Sequence, residues 1–385
     1  MNKQKQILCI MRREFWYMWR DRSLRNVMLF IPLLGVLLFA WLYSAQSLNA
    51  IPTAIVDLDH SRGSREFADK LTGAEKLNIT AYPSTYQELQ EAIAGGRIVV
   101  GVVIPENFGQ DVALGRQTRV LMIIDGSNMV YATNASAALL EVTRTVSAEA
   151  GIRTLVGSGM QLDQAREAYQ PITFREEAWF NPTMNYAYFL VLSLILNIWQ
   201  QCCTLASAMN VIGETGMKSW LQIKASGVSM TRLFISKSMT HIITFMLMVL
   251  PLYFLAFRVL KLPLQCNFGV LMFFTLLFVI AIHSVGTLMS SAVSNAVDAS
   301  RLGMMIALPS FVLSGYTWPI DAMPPLLQSL VWIFPQTWFF QGLNYLTFKN
   351  PGGDFMLPFY AGLIVTAVVC YAISIMLQMW REKLQ

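Results

Sequence analysis

Charged residues, histidines and paired cysteines are all scarce in this sequence of 385 residues. Asp, Glu, Lys and Arg together make up 13% of the chain, about half the share of a typical soluble protein. The five cysteines form no CxxC pair, and none lies between residues 50 and 180. Only three histidines occur, far apart in the sequence. This composition argues against a disulfide framework and against a zinc site.

The sequence also lacks the motifs of a self-contained nucleotide enzyme. Its nearest approach to a phosphate-binding loop is GETGMKS at residues 213–219, where Met217 separates Gly216 from Lys218. A true loop has four residues between its glycines and Lys directly after the second one, so that consecutive backbone N–H groups surround a phosphate. We therefore expect no catalytic residue, no cofactor-binding residue and no metal ligand, and nothing in the sequence indicates binding to nucleic acid.

Apolar residues, in contrast, make up 55% of the chain, and they are concentrated in long runs. A run of about 20 apolar residues is long enough to cross a bilayer as a helix. The cores of predicted spans one to four and six contain no Asp, Glu, Lys or Arg, the groups that usually bind a coupling ion in secondary carriers. Transport driven by an ion gradient is therefore poorly supported. The six predicted spans are 26–47, 187–208, 239–257, 268–292, 302–312 and 357–380.

Residues 48–182 interrupt this pattern and predict a small α/β domain with a helical stalk. This part of the chain is acidic: residues 50–180 contain 11 Lys/Arg and 16 Asp/Glu, a net charge of −5. Short runs rich in β-branched residues predict strands, and helical patterns lie between them. The predicted strands are 53–58, 77–82, 98–104 and 120–124, and the predicted helices are 64–71, 85–94 and about 132–168.

The distribution of basic residues predicts the orientation in the membrane. With the N-terminus inside, the inner segments contain 14 Lys/Arg and the short outer loops contain three. Cytoplasmic loops of membrane proteins carry such an excess. The predicted fold is thus a polytopic α-helical membrane protein of six transmembrane helices, with both termini cytoplasmic and the α/β domain extracytoplasmic. Residues 1–25 add a basic, aromatic amphipathic helix on the cytoplasmic surface, and residues 183–385 contain spans two to six.

A broken apolar stretch at residues 301–346 predicts a re-entrant element. The stretch begins as a short spanning helix and breaks at Ser314 and Gly315; a proline-rich corner and a second break at Pro335 follow. Broken backbone at membrane depth is tolerated only where protein or a water-filled cavity covers it. The prediction is a short span, an outward-facing turn and a re-entrant segment over 314–346; the alternative is a helical hairpin that only packs.

The order and spacing of residues in this element closely resemble the ATP-binding-cassette type-2 permeases, the membrane halves of two-component bacterial exporters. The matching positions are Ser314, Gly315, Tyr316, Pro319, Met323, Pro324, Leu327, Pro335, Thr337 and Gly342. By this resemblance, Ser314, Gly315, Tyr316, Pro319, Pro324 and Pro335 would belong to an outer gate of the translocation path.

Two further segments are similar to the family's ATPase-coupling elements. Segment 210–237 looks like the cytoplasmic coupling loop, although Ile212-Gly213 stand where the family usually has charged residues and Met217 replaces its usual Thr. The N-terminal helix resembles the family's entry helix, because it has a Glu (Glu14) followed by an Arg-Asp pair (Arg20 and Asp21) before the first span. The alternative for each segment is a solvated loop or a plain interfacial anchor. The residues implied in coupling are Glu214, Gly216, Leu221, Ser226, Gly227, Ser229, Glu14, Arg20 and Asp21.

The resemblance implies a permease subunit of an exporter in the bacterial inner membrane. Its partners would be cytoplasmic ATPase subunits that bind ATP and Mg²⁺, a second permease copy or a sister permease, membrane lipid, and a periplasmic adaptor protein. An apolar path without charges suits an amphipathic, drug-like or lipid-like cargo. Polar residues within span two border this path or join helices by hydrogen bonds; these are Asn197, Gln200 and Gln201.

Two other functional classes stay open from the sequence. One is a membrane sensor or scaffold whose extracytoplasmic domain binds a ligand, and it predicts function in the absence of an ATPase. The other is a secondary carrier, which predicts transport that collapses with the proton gradient and survives depletion of ATP.

Overall fold

The chain separates into two compact units, one helical and one built around a sheet. The computed structural model describes residues 3–42, 50–169, 179–182, 185–216 and 219–384, with backbone alone at residues 3, 40, 215, 216, 220, 221, 224, 230 and 381–384. Met1–Ser44 with Ala178–Gln385 form the membrane unit, and Ala45–Glu177 form the inserted unit. Residues 43–49, 183 and 184, where two predicted domain boundaries fall, lie outside the described residues.

The inserted unit contains a four-stranded sheet in the order β2-β1-β3-β4. β1 is parallel to β2 and β3, and β4 is antiparallel to β3. All four strands begin and end within two residues of the predicted positions, because each is a short run of β-branched and apolar residues between turns. The strands are β1 (Ile51–Asp57), β2 (Leu77–Ala81), β3 (Val100–Ile104) and β4 (Leu121–Ile124).

Helices cover both faces of this sheet. Successive side chains of a strand point to opposite faces, so Val100 and Val102 pack beneath α4, α6 and α7, whereas Val103 packs beneath α5. The predicted long helix is present and breaks at Gly157, and α6 is an element that the sequence patterns did not predict. The helices are α4 (Arg62–Thr72), α5 (Tyr86–Ala94), α6 (Phe108–Ala113), α7 (Met129–Gly157) and α8 (Leu162–Tyr169).

The membrane unit begins with two helices that meet at Asp21. A single N-terminal helix over residues 3–25 is wrong in one detail: Asp21 interrupts it, because its carboxylate accepts hydrogen bonds from the backbone of Ser23 and Leu24 and caps a new helix. These elements are α1 (Lys3–Arg20), α2 (Arg22–Arg25), a π-helical turn (Asn26–Phe30) and α3 (Ile31–Leu42).

Six helices in the described part of the chain are long and apolar enough to cross a membrane. The third begins at Met230 rather than 239, because Ser229 caps it ahead of the apolar stretch. Lys237 therefore lies inside this helix rather than in the preceding loop. The six candidate spans are Arg22–Phe39, Tyr186–Ala208, Thr231–Val259, Phe268–Ala292, Ala296–Leu313 and Gly353–Trp380. Their helices are labelled α9 (Tyr186–Ala208), α12 (Met230–Phe254), α13 (Phe268–Ala292), α14 (Ala296–Leu313) and α17 (Gly353–Leu384), with α10 (Ile212–Gly216) and α11 (Trp220–Ala225) before α12.

Helix α13 lies at the centre of the membrane unit. It contacts α9, α12, α14, α16 (Pro335–Asn344) and α17. Phe278 of α13 stacks face to face on Phe339 of α16, with ring centroids 3.8 Å apart. The broken element 314–346 is present as the sequence predicts: after Gly315, whose φ of +79° suits glycine, come a turn at Ile320–Ala322, α15 (Pro325–Leu330) and the largely buried α16.

Gly286 sets the close approach of α13 to α9. A Cβ atom at this position would lie 2.4 Å from Ser207 Cβ and 3.0 Å from the Thr204 carbonyl oxygen. Because some of the contacting atoms belong to the backbone of α9, rotation of a side chain cannot relieve the clash. Small residues permit this kind of helix contact in membrane proteins.

We expect Gly286→Ala to lower the free energy of unfolding by about 1–3 kcal/mol, the usual cost of overpacking. Gly352→Ala is the matched control, because nothing lies within 4 Å of a Cβ built there. Thermal unfolding in detergent measures both variants. Equal melting temperatures for the two variants would contradict the packing argument.

Candidate functional site

Segment 210–237 folds back onto α13 before it enters α12. The hydroxyl of Ser290 accepts hydrogen bonds from the backbone N–H groups of Val211 and Ile212, both at 2.9 Å. The Asn210 amide donates to Thr287 Oγ1 at 3.2 Å. The short helices α10 and α11 follow, and Gly227 turns the chain with a φ of +66°. These contacts hold the start of the segment against a spanning helix.

Lys237 lies between two buried carboxylates that come from distant parts of the sequence. Its ammonium nitrogen is 2.7 Å from Glu214 Oε1 and 2.9 Å from Glu14 Oε2. Each of the three side chains is 4% exposed or less. One ammonium group thus joins α1, α10 and α12, and we call these residues, with Arg13, Ser219 and His241, the buried charge cluster.

The other members of the cluster satisfy the remaining carboxylate oxygens. Arg13 forms an ion pair with Glu214, and the Ser219 hydroxyl donates a hydrogen bond to the same carboxylate. His241 Nε2 lies 3.3 Å from Glu14 Oε1. Two carboxylates are therefore balanced by Lys237 and Arg13. Such partners are needed because an unpaired buried charge costs several kcal/mol.

The neighbours of Glu14 keep it ionised. Burial by itself raises the pKa of this carboxyl, but the hydrogen bond from His241 and the positive charge of Lys237 outweigh burial and lower the pKa to about 2. A depressed carboxyl pKa stabilises the fold at pH values above the unfolded pKa of about 4.3, and this contribution is lost as the pH falls through the folded value. The Glu14 pair is therefore fully formed at neutral pH.

Helix α1 has one face on the cluster and one face exposed. Gln6 accepts a hydrogen bond from Arg232 of α12 at 2.7 Å, and Glu14 and Met18 are buried further along the same side. Residues spaced by four lie on one face of a helix. On the other face, Phe15 and Trp19 are exposed and stack on each other. This arrangement fits the predicted amphipathic helix at a membrane surface.

Polar contacts continue from the cluster into the spanning helices. The rings of His241 and His283 have centroids 5.3 Å apart, and His283 Nδ1 is 2.8 Å from the Tyr371 hydroxyl. The side chain of Gln378 donates to Ser291 at 2.9 Å. A chain of side-chain contacts therefore leads from α1 through α12 and α13 to α17.

A groove of about 290 Å³ lies beside the cluster, between α1 and α11. Its walls come from the exposed edge of α1 and from the segment around α11, so it is bounded by the two elements that the sequence identified with coupling. The lining residues are Gln6, Cys9, Ile10, Arg13, Gln222, Ile223, Ser226, Val228 and Leu233.

The structure brings together some of the residues assigned to coupling and separates others. Glu14 and Glu214 meet at Lys237, whereas Arg20 is exposed and Asp21 caps α2. Ser226, Gly227 and Ser229 are exposed at the turn before α12. Gly216 ends α10, and the side chain of Leu221 lies outside the described residues.

Sequence reasoning missed the partners of the two carboxylates. The predicted coupling segment ends at residue 237, but the sequence gives no coupling role to Lys237, Arg13, Ser219 or His241. A usable signal existed: Lys237 and His241 are four residues apart, which places both on one face of a helix. The predicted span three begins at residue 239, so the prediction places Lys237 in a loop and the helical spacing of Lys237 and His241 does not emerge from it.

Among the polar residues of span two, Gln200 joins helices by hydrogen bonds. Gln200 is fully buried and donates to Asn197 at 3.1 Å and to the Ala307 carbonyl at 3.3 Å, and it accepts from Gln336 at 3.0 Å. Gln201 also donates to Asn197, at 3.0 Å. The bonds of Gln200 to Ala307 and Gln336 connect α9 with α14 and α16, whereas the bonds to Asn197 lie within α9. Asn197 and Gln201 are partly exposed, so the suggestion that they border a path stays a prediction.

The residues assigned to a gate form the turns of the broken element. Ser314 is buried, and its carbonyl accepts a hydrogen bond from Gln341 of α16. The Tyr316 hydroxyl donates to the Phe189 carbonyl of α9. Pro319 and Pro324 precede the turn Ile320–Ala322 and α15, and Pro335 begins α16. The element is thus fastened to α9 and to its own second half.

The fold and this site define a polytopic helical membrane protein whose N-terminal helix and one inter-span segment are ion-paired to a spanning helix. The sequence profile described as ABC-2 family transporter protein matches residues 22–376. The chain therefore belongs to the ABC-2 family of transporter proteins.

Named relatives are permeases of the same kind. The probable multidrug ABC transporter permease YbhR of Escherichia coli (strain K12) is 23% identical over 326 residues, which cover 85% of each chain. The probable multidrug ABC transporter permease YbhS of the same strain is 23% identical over 350 residues, covering 89% of this chain and 88% of its own. The linearmycin resistance permease protein LnrN of Bacillus subtilis is 21% identical over 392 residues, covering 96% and 98%.

We expect Lys237→Met to destabilise the protein by about 3–5 kcal/mol, because it leaves two buried carboxylates without their shared positive partner. The triple variant that also carries Glu14→Gln and Glu214→Gln should recover most of this loss, since it buries no unpaired charge. Thermal unfolding in detergent measures both variants.

Arg301→Met is the control for this experiment. Its ion pair with Asp298 is exposed, and it should cost less than about 1 kcal/mol. A triple variant no more stable than Lys237→Met alone would show that the cluster's charge balance does not account for the stability of this region.

Proposed function

We propose that this chain is the permease subunit of an exporter, driven by a separate cytoplasmic ATPase that binds ATP and Mg²⁺. The observation that carries this proposal is the buried charge cluster, which ties α1 and α10 to the third candidate span through Lys237. A force applied to α1 or to segment 210–229 reaches α12 directly through these ion pairs. Because the chain belongs to the ABC-2 family, an ATPase is the natural source of that force.

The ATPase binds, in this proposal, to the exposed side of the two coupling elements. Glu214 is fully buried, so its contribution is internal: it fixes the position of α10 and α11. Gln222, Ala225 and Ser226 are exposed and available to a partner. The groove between α1 and α11 opens beside them and would accept a side chain from the ATPase.

The cargo is an amphipathic, drug-like or lipid-like molecule. The candidate spans are apolar and aromatic, with few charged side chains. Relatives named as multidrug and linearmycin resistance permeases support a cargo of this class. Partly exposed Asn197 and Gln201 would border the path, and the element 314–346 would form its outer gate, held shut by the contacts of Tyr316 and Gln341.

Two copies, or this chain with a sister permease, would form the complete path. Spans with large exposed apolar faces support this assembly: in the apolar stretches of Gly353–Trp380 and Ala296–Leu313, only 17% and 28% are buried within the chain. Such exposed apolar faces can pack against lipid or against a second permease. A relative described as an inner membrane transport permease supports location in the bacterial inner membrane.

We expect Ala225→Arg to reduce the amount of co-purifying ATPase at least about tenfold, equivalent to about 1.4 kcal/mol, because it places a bulky charge on the exposed end of α11. The tagged chain is purified from its native membrane, and the ATPase is measured by its amount and by vanadate-sensitive ATP hydrolysis.

Ala322→Arg is the matched control for this experiment. It makes the same change at an exposed site in the broken element, which the proposal places on the opposite side of the membrane, and it should retain the ATPase. A folded wild-type chain that brings down no ATPase would favour the sensor or carrier alternatives.

The proposed topology predicts opposite accessibility for two cysteines. In intact spheroplasts, a membrane-impermeant maleimide should label Gln90→Cys, on the exposed side of α5, in a Cys9→Ser background. In the wild-type chain, Cys9 of α1 is exposed and should be labelled only after the membrane is permeabilised. The reverse pattern would place the inserted unit in the cytoplasm.

A further inference from the structure

Helix α7 extends well beyond the sheet that it covers. Its 29 residues span about 43 Å, whereas strands of 4 to 7 residues span at most about 23 Å. Its fully buried residues, Ala135, Ala138 and Leu139, all lie in the first half. Helices α4, α6 and α8 pack against α7, and open spaces remain between them along its second half.

Two adjoining cavities mark this incomplete packing. One of about 550 Å³ lies between α4, α6 and α7, and the other, of about 350 Å³, lies beside it between α6, α7 and Tyr169 of α8. Both volumes are in the range of small-molecule sites. The cavities share an apolar floor, and we call the pair the α4–α7 groove. The floor consists of Phe67, Phe108, Val112, Val146, Ala150 and Thr154.

Two weak ion pairs cross the mouth of the groove from α7 to α4. Glu149 pairs with Lys70, and Arg153 lies 3.4 Å from Glu66. The side chains of the second pair are 70% and 51% exposed. Exposed ion pairs contribute about 1 kcal/mol or less to stability. The side chains of these two pairs can therefore exchange their partners for a ligand at little cost in free energy.

The lining of the groove is basic although the inserted unit is acidic. Its charged residues are four basic and two acidic, a net charge of +2, against −5 for residues 50–180. Arg62 and Arg116 have no carboxylate within ion-pair distance in the described part of the chain. Positive charge above an apolar, aromatic floor suits a molecule with an apolar body and an anionic group.

We propose that the α4–α7 groove binds a small amphipathic anion. Its apolar body lies against Phe67, Val112 and Val146, and its negative group lies beside Arg62 and Arg153. The binding itself does not depend on the proposed function; only the identity of the ligand as cargo of the exporter rests on it.

The test uses the full chain in phosphatidylcholine nanodiscs and a photoactivatable decanoate carrying a diazirine. Labelled peptides, identified by mass spectrometry, should come from residues 62–76, 108–113 and 142–157, and excess decanoate should suppress the labelling. A decyl trimethylammonium probe with the same photoreactive group should label these peptides at least tenfold less.

Three variants locate the site. Val146→Trp fills the shared cavity and should reduce labelling about tenfold, and Arg62→Glu should do the same from the solvent-exposed rim, where it does not disturb the core. Arg144→Glu makes the same charge change on α7 outside the groove and should leave labelling unchanged. Equal labelling by the two probes, or full labelling of both Arg62→Glu and Val146→Trp, would overturn the proposal.

A transport measurement separates the two proposals. If Arg62→Glu loses both labelling and export, the groove receives cargo. If it loses labelling and keeps export, the groove still binds an amphipathic anion, but that ligand is not the cargo. If the wild-type chain is labelled but has no ATPase partner, the groove proposal stands and the exporter proposal fails.

Discussion

The sharing of one ammonium group by two buried carboxylates is the interaction that joins α1, α10 and α12 in the membrane unit. Lys237, Glu14 and Glu214 are withdrawn from water, and the cost of this is offset only because each charge has a partner at close range. A hydrophobic contact between α1, α10 and α12 would allow them to slide. Ion pairs at fixed geometry instead require that the three elements move together, which a transmitting element needs.

The rest of the membrane unit extends this constraint inward. Helix α13 holds the start of segment 210–237 through Ser290 and Thr287, and it contacts α9 so closely at Gly286 that no side chain fits. It also carries the Phe278–Phe339 stack that anchors α16 of the broken element. A packed route therefore leads from the cluster to the proposed gate, whereas the inserted unit has its own core and the α4–α7 groove, for which we propose a ligand.

Most of the architecture could be predicted from the sequence because it follows from local patterns. Apolar runs identified the spans, and β-branched runs identified four strands to within two residues. The errors lay where side-chain capping overrides hydropathy: Asp21 divides the N-terminal helix, and Ser229 begins the third span early. Residue roles were less predictable, since an amide such as Gln200 looks the same in sequence whether it faces a path or bonds to Ala307 and Gln336.

The sequence by itself determined the class of protein, because crossing a bilayer demands long apolar runs, and it located the broken element by its order of residues. Only the tertiary structure decided which charges meet. Glu14 and Lys237 are more than 200 residues apart, and the sign of a charge does not specify its partner. The same holds for the α4–α7 groove, whose basic lining lies within an acidic domain. Folding, not composition, gathers those arginines above an apolar floor.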